Sequence, residues 1–237
     1  MSTADRAQQQ AAGRAGWRLA AALVGALAVL LPAVPLAVLV RARWSPLVEA
    51  DLAVSRSAQE WTASSDALLR GAKAVTLLGE PLLLTVVAAA LAVGLVVRGH
   101  RRLALFVVVT RLGAMALSSG LKLAVDRARP VFNEPVATAL GASFPSGHAL
   151  GSAAFYLSGA VLLQPYVRRS RWPFPVAASI AVAVAATRVL LGVHFPSDVA
   201  AGLLIGAGWV AVCAAVFAVW RREQGRPVDV VAEGVGR

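Results

Sequence analysis

Long apolar runs separated by short, charge-rich breaks dominate the chain. Crossing about 30 Å of hydrocarbon takes roughly 20 apolar residues at a rise of about 1.5 Å each. Six runs approach that length: 17–40, 75–97, 103–125, 147–167, 172–191 and 199–220. The pattern predicts an all-α fold, an integral membrane bundle of six transmembrane helices, with no internal repeat. The first run is preceded by a polar, Gln/Ala-rich arm and shows no small-residue cleavage site. It is too long for a signal-peptide core, so it reads as a retained helix. The expected organisation is an N-terminal arm over 1–16, a six-span domain over 17–220 and a tail over 221–237. Gly225, Pro227, Gly234 and Gly236 mark that tail as a disordered extension.

Composition supports lipid as the surrounding medium. Of the 237 residues, 58% are hydrophobic and 15% charged, with a mean hydropathy of +0.70. A soluble domain carries about 25% charged residues, because its core needs a hydrated shell. The balance excludes a disordered chain, a disulfide scaffold and an ordinary soluble enzyme, and Cys213 has no second cysteine to pair with. A net charge of +11 raises nucleic acid as a partner. The basic residues instead fall in short clusters between apolar runs, which is a topogenic pattern. Arg98, Arg101 and Arg102 follow the second run, Arg168, Arg169 and Arg171 the fourth, and Arg221 and Arg222 the sixth, while Arg6, Arg14 and Arg18 precede or open the first. With six spans all four clusters share one side, the cytoplasm, and both termini lie there. The outer face then receives a segment, 41–73, whose charge nearly cancels; it reads as a partly helical cap with Trp44 and Trp61 at the interface or, equally, as a solvated linker.

That outer face also gathers the polar chemistry, at the outer ends of spans three to six. Lys122, Arg129 and Arg188 are three cations with few local carboxylates to neutralise them, and leaving them unpaired at a membrane boundary is costly. An external polyanion is implied. Arginine presents a planar fork that matches phosphate oxygens, and lysine a compact point charge. Ser146 and Gly147 open the fourth run, where unpaired backbone N–H groups and the helix dipole favour an anion. His194 has a carboxylate four residues on, Asp198, and Pro196 favours a helix starting between them. A carboxylate on one ring nitrogen leaves the other free as a nucleophile toward phosphorus. His148 has no acid nearby in sequence and suits a proton donor to the leaving group.

These residues fall into a three-part pattern: Lys122-x6-Arg129-Pro130, Pro145-Ser146-Gly147-His148, and Arg188-x5-His194-x3-Asp198. The pattern resembles the signature of the type 2 phosphatidic acid phosphatase superfamily, which holds membrane lipid phosphatases and soluble vanadium haloperoxidases. One departure is Thr187, where the family usually has serine; the hydroxyl is kept. The resemblance implies phosphate binding by Lys122, Arg129, Ser146, Gly147 and Arg188, a phosphohistidine on His194 supported by Asp198, and leaving-group protonation by His148. It also implies that no metal or other cofactor is needed, and the sequence carries no ligand cluster at metal spacing.

The expected function is metal-independent hydrolysis of a lipid phosphate or diphosphate at the extracytoplasmic membrane face. Candidate substrates are phosphatidic acid, phosphatidylglycerol phosphate and polyprenyl diphosphate. Partners are a membrane lipid and the bilayer, without nucleic acid. The alternatives are a lipid phosphotransferase, and a non-catalytic transporter or binding protein for anionic lipids. The latter needs the cations but not His194, Asp198 and His148 together. Among other polar residues, Arg127 is expected to face water or pair with Asp126, Arg111 to pair structurally inside span three, and Glu80 to be a boundary acid that can approach the pocket. His100 reads as part of its basic turn.

Overall fold

The computed structural model describes residues 20, 24, 31, 33–132, 135–167 and 170–223, with side chains as far as 217. Among them the chain forms helices α1 (Ala33–Arg41), α2 (Ser45–Ala63), α3 (Asp66–Thr76), α4 (Pro81–Val97), α5 (Arg101–Val125), α6 (Gly147–Leu163), α7 (Pro173–Leu190) and α8 (Pro196–Glu223). The arm 1–16, nearly all of the first apolar run, Arg168, Arg169 and the tail beyond 223 lie outside the described residues. Prolines open several of these helices: Pro81, Pro173 and Pro196 are the first residues of α4, α7 and α8. Proline suits that place because its missing N–H would be unpaired there anyway.

Among the described residues four stretches are long and apolar enough to cross a membrane: Asp66–Val97, Arg101–Val125, Pro173–Leu190 and Pro196–Phe217. The predicted fourth run becomes α6 with a 3₁₀ turn at Gln164–Tyr166, an α-helix one turn shorter than a typical span. The predicted second run starts earlier than its hydropathy suggested. Ser65 caps α3 by accepting from the Leu68 N–H at 3.3 Å, and a 3₁₀ turn at Leu77–Gly79 leads into α4. Asp66, Arg70 and Lys73 lower the average over α3, which hid that helix in a hydropathy reading.

Segment 41–73 is more than a surface cap. Helix α2 packs against α7 and α8 and buries Asp51, Ser55, Gln59 and Thr62, a polar stripe turned inward. The outside of the molecule is the reverse: Leu82, Val86, Val93 and Val97 of α4, Leu123 of α5 and Val182 of α7 are all exposed. Apolar surface on this scale is tolerated against lipid but not against water.

Helix α6 is the axis of the bundle, packed on α5, α7 and α8. Apart from Leu150, its buried residues are small: Ala149, Gly151, Ser152, Ala153, Ala154, Ser158 and Ala160. Gly202 and Gly206 on α8 meet it, and a Cβ at Gly206 would collide with the Leu150 carbonyl oxygen and the Ala153 methyl. Small residues four apart let membrane helices approach closely. Replacing Gly206 with Leu is expected to cost about 1–3 kcal/mol through overpacking. Thermal unfolding in detergent checks this.

Candidate active site

Lys122 lies in the last turn of α5, Ser146 caps α6, Arg188 lies in the last turn of α7, and Asp198 lies in the first turn of α8. The chain order of these helix ends brings the three sequence motifs to one end of the bundle. The motifs are also bonded to one another. The Ser146 N–H donates to the Asp198 carbonyl at 3.0 Å, and the Ser143 N–H to the Arg127 carbonyl at 2.7 Å. The Ser146 hydroxyl accepts from the Ala149 N–H, which caps α6. Its own helix N-terminus is thereby ordered beside the cations.

His194 is 2% exposed and sits between Arg129 and Asp198. Arg129 Nη1 lies 3.1 Å from His194 Nε2. A guanidinium only donates, so Nε2 is the acceptor and the ring proton belongs on Nδ1. Nδ1 is 3.6 Å from Asp198 Oδ2 and 3.3 Å from the Ser143 hydroxyl, and that hydroxyl in turn donates to Asp198 Oδ2 at 2.5 Å. The carboxylate therefore orients the imidazole partly through Ser143. Burial pushes the His194 imidazole from 6.5 down to about 4, against the opposing pull of Asp198. The ring is neutral at pH 7, with the Nε2 lone pair facing a cation.

Asp198 is fully buried and saturated with donors. Besides Ser143 it accepts from the Phe195 N–H at 2.9 Å and from Arg127 Nη1 at 2.7 Å. Arg127 thus does not face water or pair with Asp126, as the sequence suggested. Its other nitrogen, Nη2, donates to Asp51 on α2 at 2.7 Å, and its guanidinium stacks 4.1 Å from the centre of the Phe195 ring. Asp51 also accepts from the N–H and the hydroxyl of Ser197. Asp51, Ser143 and the role of Arg127 have no signature in the sequence.

The three candidate phosphate-binding cations are anchored by neutral groups. Lys122 Nζ donates to the Ala142 carbonyl at 2.8 Å. Arg129 donates to the carbonyls of Gly141 at 2.9 Å, Leu140 at 3.0 Å and Val193 at 2.7 Å. Arg188 Nη1 donates to the Thr76 hydroxyl at 2.8 Å, and its Nε is buried without any hydrogen bond. Among the described residues none of the three has a carboxylate within 4.0 Å. The cluster holds positive charge in place and leaves it uncompensated, as an anion site requires. Gly147 opens α6 beside it, with only the Ser118 hydroxyl near the position a Cβ would take.

His148 Nε2 lies 3.3 Å from the Glu80 carboxylate at the start of α4. Glu80 is thus in the pocket rather than a boundary acid alone. Thr187 spends its hydroxyl on the Val184 carbonyl of its own helix, at 2.6 Å. Among the described residues Arg111 has no carboxylate within 4.0 Å; it donates to the Thr85 hydroxyl and the Pro81 carbonyl, tying α5 to α4.

The family profile described as the PAP2 superfamily matches residues 102–222. Lipid A 1-phosphatase from Rhizobium johnstonii is 38% identical over 111 residues, 43% of this chain and 43% of its own length. Phosphatidylglycerophosphatase B from Bacillus subtilis is 36% identical over 94 residues, 38% of this chain and 46% of its own length. The matched segments therefore span less than half the length of these relatives. A solved structure, the first transmembrane PAP2 type phosphatidylglycerolphosphate phosphatase from Bacillus subtilis, superposes with a TM-score of 0.72 at 26% identity, covering 86% of this chain and 98% of that one. With the profile laid over just over half of the chain, the long apolar helices and this transmembrane neighbour, the chain is an integral membrane protein and belongs to the PAP2 superfamily.

Proposed function

We propose that the protein hydrolyses a lipid phosphate or diphosphate through a phosphohistidine on His194. The observation that carries this reading is the unprotonated Nε2 of a buried His194 facing the guanidinium of Arg129 at 3.1 Å. Lys122, Arg129, Arg188 and the N-terminus of α6 at Ser146 and Gly147 hold the phosphoryl oxygens. His194 Nε2 attacks phosphorus as the bond to the leaving oxygen breaks, and His148 gives that oxygen a proton. Asp198 stabilises the positive charge that develops on the His194 ring. Water then attacks the phosphohistidine, returning a proton to His148 and releasing phosphate and free His194. Among the described residues no group of three or more His, Cys, Asp or Glu could hold a metal ion.

Lipid substrates suit a site at helix ends, where a headgroup enters the pocket while its tails stay in the bilayer. The names of the relatives, a lipid A 1-phosphatase and a phosphatidylglycerophosphatase B, support the same class. We place the site at the extracytoplasmic face of a six-span domain over 17–220, with the arm 1–16 and the tail 221–237 in the cytoplasm. The support is that Arg98, Arg101, Arg102 and Arg171 lie at the helix ends opposite the pocket.

The direct test is phosphate release by the purified, detergent-solubilised protein from a panel of lipid phosphates and diphosphates, with EDTA present. Release that EDTA spares is expected; release that EDTA abolishes overturns the metal-free route. A bound lipid that is never cleaved favours the transporter reading. Acidity gives a second check. Lowering the pH protonates Nε2 and removes the nucleophile, and burial places that event near 4 in the free protein. Corrected for substrate ionisation, kcat/KM is expected to hold well below pH 6 and to fall as pH approaches about 4. A break near the ordinary histidine value contradicts the assignment.

A further inference from the structure

The site contains a second histidine–carboxylate pair that the three motifs do not include. Glu80 stands at the N-cap of α4, where an acidic side chain normally turns back onto the first free N–H groups. Here it makes no capping bond. Its carboxylate points instead to His148 Nε2 at 3.3 Å. The backbone before it is built to bring it there. The Tyr156 hydroxyl of α6 donates to the Leu78 carbonyl at 2.7 Å, fixing the 3₁₀ turn against the helix that carries His148. At Gly79 a Cβ would collide with the side chains of Val184 and Ser152 and would come within 3.4 Å of the His148 ring. Only glycine lets the turn sit this close.

The chemistry of His148 explains why a carboxylate belongs there. A proton donor must be protonated when the leaving oxygen departs. Burial opposes protonation of His148, and so do the positive charges of Arg188, Lys122 and Arg129. Among the described residues Glu80 is the carboxylate within ion-pair distance of it. Asp198 is committed to His194, Ser143, Phe195 and Arg127 on the far side of the pocket. Glu80 is also half exposed, so it keeps contact with water while touching the ring.

We propose that Glu80 is the positioning residue of His148, favouring its protonated imidazole over the neutral one and turning the ring so that Nδ1 delivers the proton to the leaving oxygen. With Nε2–H held by the carboxylate, Nδ1–H is given up as the phosphorus–oxygen bond breaks, leaving a neutral ring. The same Nδ1 accepts the proton of the attacking water in the second step, which restores the starting state. This inference rests on the phosphatase reading above and deepens it. It lets the protein turn over esters whose leaving group is a poor one, such as a lipid alkoxide, and matters little for those that depart unaided.

The test compares wild type, Glu80→Gln and Glu80→Asp on a long-chain alkyl phosphate and on 4-nitrophenyl phosphate, reading kcat/KM, which reports the step in which the leaving group departs. General acid catalysis contributes about 10²–10⁴-fold, so Glu80→Gln is expected to lower kcat/KM for the alkyl ester roughly 10–100-fold. The aryl ester, whose phenolate leaves without help, is expected to lose less than about threefold. The alkaline limb of the alkyl-ester profile moves to lower pH in Glu80→Gln and is partly restored in Glu80→Asp. Equal losses on both substrates, or no loss on either, overturn the proposal while leaving the phosphatase reading intact. A wild-type protein that turns over neither substrate nor any lipid of the panel overturns both.

Discussion

Replacing His194 with Ala is expected to lower kcat by at least about 10⁴-fold, the scale on which removal of a nucleophile acts in catalytic units of this kind. His194 is held on its Nδ1 side by Ser143 and Asp198 and presents Nε2 to Arg129. The two hydroxyls nearby are engaged elsewhere: that of Ser143 donates to Asp198, and that of Ser146 caps α6. The cations remain in the variant, so binding of a lipid phosphate is expected to change far less than turnover. Steady-state kinetics beside equilibrium binding of the same lipid separates the two effects. Retained turnover removes His194 from the mechanism.

Replacing Arg127 with Met is expected to be the most destabilising change near the site, costing about 3–5 kcal/mol. The guanidinium bridges Asp51 and Asp198 with two bonds of 2.7 Å, and the two carboxyls are 3% and 0% exposed. Removing it leaves two buried carboxylates without the cation that pairs them, and breaking a buried pair from one side costs about 3–5 kcal/mol because the other side cannot be rehydrated. Its loss also frees Asp198 to rotate away from His194, so kcat falls together with stability. Asp51→Asn is milder, since the amide keeps an acceptor oxygen for Ser197. Thermal unfolding in detergent and kcat at a fixed temperature provide the readouts. An Arg127→Met protein as stable as wild type contradicts the reading of these pairs.

What was readable from the sequence follows a physical division. The apolar runs and the three motifs depend on local spacing, and α5, α7 and α8 begin and end within a few residues of the predicted runs. Lys122, Arg129, Ser146, Gly147, His148, Arg188, His194 and Asp198 fall in short segments whose order along antiparallel helices brings them to one end. Asp51 is different in kind. It is bonded to Ser197 across 146 positions of sequence, in a segment whose balanced charge looked solvated. Only the packing of α2 on α8 turns its polar stripe inward. Ser143 gave no signal either, because its importance lies in a 2.5 Å contact made by loop closure around Arg129. Glu80 was visible as an acid near a helix start, but its bond to His148 depends on how closely the turn at Gly79 approaches α6. Hydropathy also missed the start of α3, where charges on one face dilute an otherwise continuous helical stretch.

The phosphohistidine is the claim on which the rest depends, and it can be trapped. Wild type and His194→Ala are mixed with a lipid phosphate radiolabelled on phosphorus and quenched within a turnover. The account predicts a protein-bound label that is stable in alkali, lost in acid and absent from His194→Ala. Turnover without any such label, or a label that survives acid and is lost in alkali, contradicts it.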